Sequence, residues 1–67
     1  MSTVQDRVKN EYDELVIKHD KLLDFVNTDA FYALNVEHQC LLRAQLGAMA
    51  AYMWILCERL NLFKQGK

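Results

Sequence analysis

The sequence contains no proline and only two glycines among its 67 residues. Because these two residues break helices and form tight turns, the chain has little material for strands and suits long helices. Its composition, 52% hydrophobic and 25% charged, is too apolar for a disordered tail and too charged for a membrane protein. A chain of this length forms one domain at most, and its own core is marginal. We therefore predict one all-α domain over residues 1–67.

Cysteine is almost as scarce, and both copies fall in one predicted helix. Cys40 and Cys57 lie 17 positions apart, roughly 25 Å along a helix axis, so they cannot form a disulfide within the chain. Free thiols are typical of reducing compartments. No basic region followed by an apolar run opens the sequence, so no signal peptide is visible. These features predict a cytoplasmic protein.

Catalytic groups are also lacking. The only serine, Ser2, lies at a predicted helix start, and neither cysteine has a histidine one turn away on its own face. His38 and Cys40 are two positions apart and point about 200° apart on a helix, so they cannot bind one metal ion. We expect no enzyme activity, no metal site and no cofactor.

Apolar residues recur at helical spacing in two segments. The first helix is predicted over about residues 3–27, capped by Ser2 or Thr3, and the second over about residues 36–64, capped by Asn35. Residues 27–35 form a short connector with about one helical turn, from which Phe31 and Leu34 pack back on the helices. The seam of the first helix comprises Val8, Tyr12, Leu15, His19, Leu22 and Val26, widened by Val16 and Leu23. The seam of the second comprises Leu42, Leu46, Met49, Met53, Leu56, Leu60 and Phe63.

The second seam advances in steps of four and three residues, which is an uninterrupted heptad pattern. Each seam needs an apolar partner, and the other helix is tethered within reach. The two long helices are therefore predicted to fold back as an antiparallel hairpin.

The sides opposite the two seams differ. The far side of the first helix carries a row of acidic residues and is a solvated face, whereas that of the second helix is apolar and mostly small. Its residues are Leu41, Ala44, Gly47, Ala48, Ala51, Trp54 and Ile55. Small residues permit close approach of another helix, and an aromatic beside them is typical of interfaces. We predict a helical homo-oligomer assembled through this face, the alternative being a monomer with an exposed apolar patch.

A lipid bilayer is a less suitable environment for this face. The uncharged run in the second helix, residues 44–57, is 14 residues long, whereas a spanning helix needs about 20. We expect no membrane partner.

Charge is distributed unevenly along the chain. Residues 1–40 contain four basic and eight acidic groups, and residues 41–67 contain four basic groups and one acidic group. Pairing of the two halves is therefore electrostatically complementary. The overall charge of −1 disfavours long nucleic acid, although a small anion held by arginines repeated around an oligomer remains compatible with it.

Several polar residues have structural interpretations. His19 lies in the first seam, where a packed, hydrogen-bonded histidine is expected. Tyr12 and Tyr52 are expected to pack with the hydroxyl towards solvent, the alternative being base stacking. Arg59 either forms a surface ion pair with Glu58 or reaches a neighbouring subunit.

Thirteen positions between Arg7 and Leu60 follow a pattern found in a group of very small phage proteins. They are Leu22, Phe25, Val26, Phe31, Leu34, Gln39, Leu41, Leu42, Gln45, Met49, Tyr52, Leu56 and Arg59. On these residues the chain resembles the helical hairpin of phage anti-CBASS and Thoeris anti-defence proteins. Members of that group are oligomeric sponges that sequester cyclic nucleotide immune signals without cleaving them.

The resemblance implies a phage anti-defence protein that acts in the host cell cytoplasm. Its ligand would be a cyclic di- or trinucleotide, bound between subunits through an aromatic residue for the base and basic groups for phosphate. Arg7, Tyr12, Arg59 and Lys64 are the chemically suitable residues. Two alternatives remain: an inhibitor or adaptor that docks a host protein through the Trp54 face, and a structural oligomer without a ligand.

Overall fold

The computed structural model describes residues 3–65 as three helices. They are α1, Val4–Phe25, α2, Asp29–Tyr32, and α3, Val36–Gln65. The long helices α1 and α3 pack against each other as a hairpin, and α2 lies in the connector between them. The described residues contain no strand. The predicted all-α hairpin is therefore confirmed, with its helix boundaries close to those expected.

Helix α1 begins at a complete capping box. The backbone N–H of Asp6 donates to the Thr3 hydroxyl at 3.1 Å, and the backbone N–H of Thr3 donates to the Asp6 carboxylate at 3.4 Å. Two amides that have no partner within the helix are thereby satisfied. Thr3, one of the two predicted caps, is thus the N-cap. The other, Ser2, lies outside the described residues.

The first helix ends at Phe25, two residues before the predicted Asn27. The amide side chain of Asn27 donates to the Leu23 carbonyl at 2.9 Å, and its backbone N–H bonds the carbonyl three residues earlier. These bonds satisfy the last carbonyls of the helix in a tighter turn. Asn27 therefore closes α1 from outside.

The connector is anchored by one buried aromatic ring. Phe31 of α2 is fully buried and makes edge-on contacts with Phe25 and Tyr32, at ring-centroid distances of 6.0 and 5.2 Å. The Arg43 guanidinium of α3 lies 5.2 Å from the centre of the Phe31 ring, in cation–π geometry. Through Phe31 the connector consequently packs against both long helices.

This aromatic contact explains one difference from the predicted seam. Leu23, expected to widen the seam of α1, is exposed, whereas Phe25 is half-buried. Residues two apart on a helix point to opposite sides. Because Phe31 packs on the Phe25 side, Leu23 is left uncovered.

Helix α3 is tied to the connector at its start. The Asn35 side chain accepts the backbone N–H of His38 at 2.8 Å, so it caps the helix as predicted. The Gln39 side chain reaches back and donates to the Leu34 carbonyl at 2.8 Å. All seven residues of the predicted α3 seam are half-buried or buried, Leu56 completely. The heptad pattern therefore identified the packed face of α3 correctly.

The molecule is elongated and has a small core. It measures 50 by 19 by 14 Å, and its radius of gyration of 15.3 Å exceeds the roughly 11 Å typical of a compact domain of this length. Among the described residues only Val8, Val26, Phe31 and Leu56 are buried. Most of each helix surface therefore faces solvent in a single chain.

Candidate functional site

The open end of the hairpin, where the start of α1 meets the end of α3, contains two clefts. The first, here called the arginine cleft, has a volume of about 280 Å³. It is lined by Val4, Arg7, Val8, Glu11 and Arg59. The second, here called the tyrosine cleft, has a volume of about 230 Å³. It is lined by Gln5, Asp6, Lys9, Tyr12, Asp13, Leu60 and Lys64.

The arginine cleft combines cations from both long helices. Arg7 and Glu11 lie one turn apart on α1, and Arg59 faces them from α3. The Glu11 carboxylate also accepts a hydrogen bond from the Tyr52 hydroxyl of α3, which fixes it on that side. Two guanidinium groups against one carboxylate leave this cleft with an excess of positive charge. Guanidinium groups bind phosphate through paired hydrogen bonds, so the cleft is suited to an anion.

The tyrosine cleft is electrically balanced. Its two lysines are matched by Asp6 and Asp13, and Lys9 forms an ion pair with Asp13 at 3.0 Å. The ring of Tyr12 is half-buried in its wall. This cleft therefore offers an aromatic surface with little net charge, whereas the arginine cleft offers charge without an aromatic ring among its lining residues.

The structure thus brings the four nominated ligand residues to one end of the molecule in two pairs. Arg7 and Arg59 share the arginine cleft, and Tyr12 and Lys64 share the tyrosine cleft. Each cleft is smaller than the about 300–1,000 Å³ of typical ligand sites. In a single chain neither cleft encloses a nucleotide, and further walls must come from another molecule.

Glu11 and Lys9 were not predicted from the sequence as site residues, although their charges contribute to the two clefts. The Tyr52 hydroxyl, which binds Glu11, was not predicted in that role either. Their role depends on which residues of α1 and α3 are level with each other. The hydrogen bond from the Tyr52 hydroxyl to the Glu11 carboxylate shows that alignment, and no local pattern in the sequence predicts it.

The other candidate residues have ordinary environments. His19 is half-buried in the seam, with its Nδ1 atom 3.3 Å from the Asp20 carboxylate. Cys40 and Cys57 are exposed free thiols on α3. Within residues 3–65 no three His, Cys, Asp or Glu side chains are grouped as a metal site requires. The chemistry that the described side chains support is ionic and aromatic binding.

The outer face of α3, opposite the seam, is uncovered. Trp54 is 66% exposed and Leu41 is 68% exposed. The other residues predicted at the oligomer interface, Ala44, Gly47, Ala48, Ala51 and Ile55, are exposed as well. Exposed apolar surfaces of this kind are common at interaction sites, and the predicted interface stays a prediction.

By length and composition, Val36–Lys64 of α3 is also apolar enough to cross a bilayer, with a mean hydropathy of 1.4 over its most apolar stretch and 6% of that stretch buried. The prediction against a membrane partner rested on the uncharged run alone, whereas this longer stretch includes charged residues. Helix α1, packed along α3, carries Asp6, Asp13 and Asp20, which are costly to place in lipid.

Comparison with known proteins identifies the family. The family model described as Sequestin matches residues 2–62. A protein of Enterobacteria phage T4, described as "Uncharacterized 7.5 kDa protein in denB-rIIB intergenic region", is 36% identical over 64 residues, which cover 96% of this chain and all of the phage protein. No solved structure matches the chain. The chain therefore belongs to the Sequestin family, whose name denotes sequestration, and is related to a small phage protein.

Proposed function

We propose that this protein sequesters a small cyclic nucleotide by binding it, without chemical conversion, in a homo-oligomer in the cytoplasm of a phage-infected cell. The observation that carries the proposal is the arginine cleft, which Arg7 and Arg59 line from different helices with Glu11 as the one acidic lining residue. The family name and the phage relative support sequestration. The resemblance to phage cyclic nucleotide sponges supports the choice of ligand.

The sizes of the clefts support binding between subunits. A cyclic di- or trinucleotide carries phosphates for the guanidinium groups and bases that stack on aromatic rings. Because the two chemistries lie in separate clefts of one chain, a ligand that uses both would reach from the arginine cleft of one subunit to the tyrosine cleft of another. This arrangement assigns phosphate to Arg7 and Arg59, and a base to Tyr12 with Lys64 beside it.

The function is tested by calorimetry against a panel of cyclic di- and trinucleotides, with linear dinucleotides as controls. Binding is expected for at least one cyclic ligand, and the ligand should be recovered intact after the protein is denatured. An oligomer of unchanged mass that gives no heat with any cyclic nucleotide contradicts the proposal and favours a structural oligomer.

The role of the arginine cleft is tested by Arg7→Ala. Loss of hydrogen bonds from a charged group is expected to weaken binding of the ligand found in that panel by about 10- to 100-fold. Lys21→Ala removes the same charge from an exposed position of α1 that lines neither cleft, so its affinity should be unchanged. Equal loss of affinity in the two variants would mean that overall charge, and not this cleft, attracts the ligand.

A second candidate function is inhibition or adaptation of a host protein through the Trp54 face. The exposure of Trp54 and Leu41 favours it, since aromatic and large apolar residues dominate protein-binding hot spots. Light scattering separates the candidates: a stable monomer at all concentrations favours docking of a host protein, whereas an oligomer favours the sponge.

A further inference from the structure

The outer face of α3 carries a second heptad pattern. Its residues advance in steps of three and four from Leu41 to Leu62, on the side opposite the seam that α1 occupies. We call this set the outer stripe: Leu41, Ala44, Ala48, Ala51, Ile55, Glu58 and Leu62. Every member is exposed in the single chain. A helix with two heptad stripes has places for two partner helices, and α1 fills only one of them.

We infer that the outer stripe binds the same stripe of a second copy, antiparallel and centred on Ala51. This inference rests on the homo-oligomer of the proposed function and specifies one of its interfaces. Arg59 of one copy then lies level with Arg43 of the other, about 24 Å along the helix from the open end of that copy, so a ligand that bridges two clefts would join one such dimer to another. The stripe is self-complementary about that centre. Ala51 meets Ala51, Ala48 meets Ile55, Ala44 meets Glu58 and Leu41 meets Leu62. Small residues face large ones next to the centre, and a leucine pair closes each end, so the two helices can pack evenly.

A parallel pair fits the same residues poorly. In register, it would pair every residue with itself. The large pairs at Leu41, Ile55 and Leu62 would then hold the helices apart and leave a gap between the alanines. A parallel pair would also place Glu58 directly opposite Glu58, and like charges at that distance repel. The order of residues along the stripe therefore selects the antiparallel arrangement.

The residues beside the stripe fit the antiparallel arrangement as well. Trp54 of one copy lies level with Gly47 of the other and on the same flank of the pair. A Cβ atom placed on Gly47 would meet nothing within 4 Å in the single chain, so the fold of one copy does not require glycine there. Glycine destabilises the middle of a helix. Room for the Trp54 indole of a second copy would explain why glycine lies at this position.

Charge on the same flank is complementary. Glu58 of one copy lies close to the level of Arg43 of the other, and these are the acidic and basic residues nearest the uncharged run. The Arg43 guanidinium contacts the Phe31 ring and the Tyr32 hydroxyl, and its remaining N–H donors are available to a carboxylate.

The surface area also fits a second copy. The chain exposes 5233 Å², roughly 800 Å² more than the about 4,400 Å² that size scaling gives for a folded monomer of its mass. A stable interface buries about 800 Å² on each partner. The excess is therefore about as large as the surface that one partner loses in a stable interface.

The arrangement is tested by disulfide cross-linking in a chain whose natural cysteines, Cys40 and Cys57, are replaced by serine. Under mild oxidation without nucleotide, Ala51→Cys alone is expected to form covalent dimers. Ala48→Cys and Ile55→Cys should each stay uncrosslinked alone and form dimers when mixed, because disulfides require Cα atoms within about 7 Å. Efficient dimers from each of the three variants alone would indicate a parallel pair and overturn the inference.

A second test does not depend on oxidation. Gly47→Leu has room in the single chain but fills the position assigned to the indole of the second copy, so sedimentation should show at least a tenfold weaker dimer with unchanged helicity. Ala50→Leu, an exposed control on the same helix, should dimerise as the wild type does. Equal mass in both variants overturns the interface. Monomers that instead float with phospholipid vesicles would assign the face to a membrane.

Both tests are done without ligand, so they are independent of nucleotide binding. A dimer with the expected cross-links that binds no cyclic nucleotide would contradict the proposed function and leave the interface standing. A chain that binds a cyclic nucleotide but shows no cross-link in Ala51→Cys would support the proposed function and overturn the interface.

Discussion

At the scale of single residues, Phe31 is the side chain on which the hairpin most depends. It is fully buried, contacts the rings of Phe25 and Tyr32, and lies beneath the Arg43 guanidinium. Its contacts join the connector to both long helices, and few other residues are buried. Its neighbour Tyr32 contributes one face to this cluster but is 58% exposed.

Phe31→Ala is expected to lower the free energy of unfolding by about 3–5 kcal/mol, the usual cost of removing a buried phenylalanine. For so small a domain, this loss is a large share of the total stability. Tyr32→Ala should cost much less because most of its surface already contacts solvent. Urea denaturation followed by circular dichroism measures both variants, and similar losses would show that Phe31 is not the anchor of the connector.

At the scale of the elements, α3 has two faces, one packed on α1 and one exposed. Two residues adjacent in sequence, Ile55 and Leu56, lie on different faces. Leu56 is fully buried against α1, whereas Ile55 is 47% exposed on the outer stripe. The two side chains have similar volumes, so truncating each to alanine compares the faces directly.

Leu56→Ala is expected to destabilise the hairpin by about 2–5 kcal/mol at every protein concentration, because it leaves a cavity between α1 and α3. Ile55→Ala should leave the unfolding midpoint of dilute protein nearly unchanged but weaken association in concentrated protein. Urea midpoints of both variants at two protein concentrations test this, and a large loss for Ile55→Ala in dilute protein would place Ile55 in the hairpin core.

The elements were predictable because their signals are local. The cap at Asn35 and the heptad seam from Leu42 to Phe63 depend on residues within a few turns, and both were predicted. The cap at Thr3 is equally local and was one of two predicted starts. The exposure of Leu23 was not predicted, because it depends on the side of α1 against which the connector packs. The pairing of Arg7 with Arg59 depends on the alignment of α1 with α3, about 50 residues apart in sequence, and no local pattern fixes that alignment.

At the scale of the whole molecule, the small core and the large exposed surface lead us to expect that stability depends on association. Only four of the described side chains are buried, and the outer face of α3 exposes large apolar residues. Association that removes this face from water stabilises the folded state by mass action.

The thermal unfolding midpoint of the wild type is therefore expected to rise by several degrees when the protein concentration is raised a hundredfold. Trp54→Glu, which places a charge on the outer face, should remove this dependence and reduce the mass in solution. Scanning calorimetry and light scattering measure the two effects. A thermal unfolding midpoint of the wild type that does not change with protein concentration would show that a single chain folds without association.

The exposure of Trp54 has a spectroscopic consequence. It is the only tryptophan in the sequence, so the indole fluorescence of the protein comes from this side chain and from nowhere else. In dilute solution its emission should be that of an indole in water, and it should shift to shorter wavelength as any partner covers it. The wavelength of the Trp54 emission maximum, followed while the protein is diluted, therefore gives the dissociation constant of the assembly without an added label.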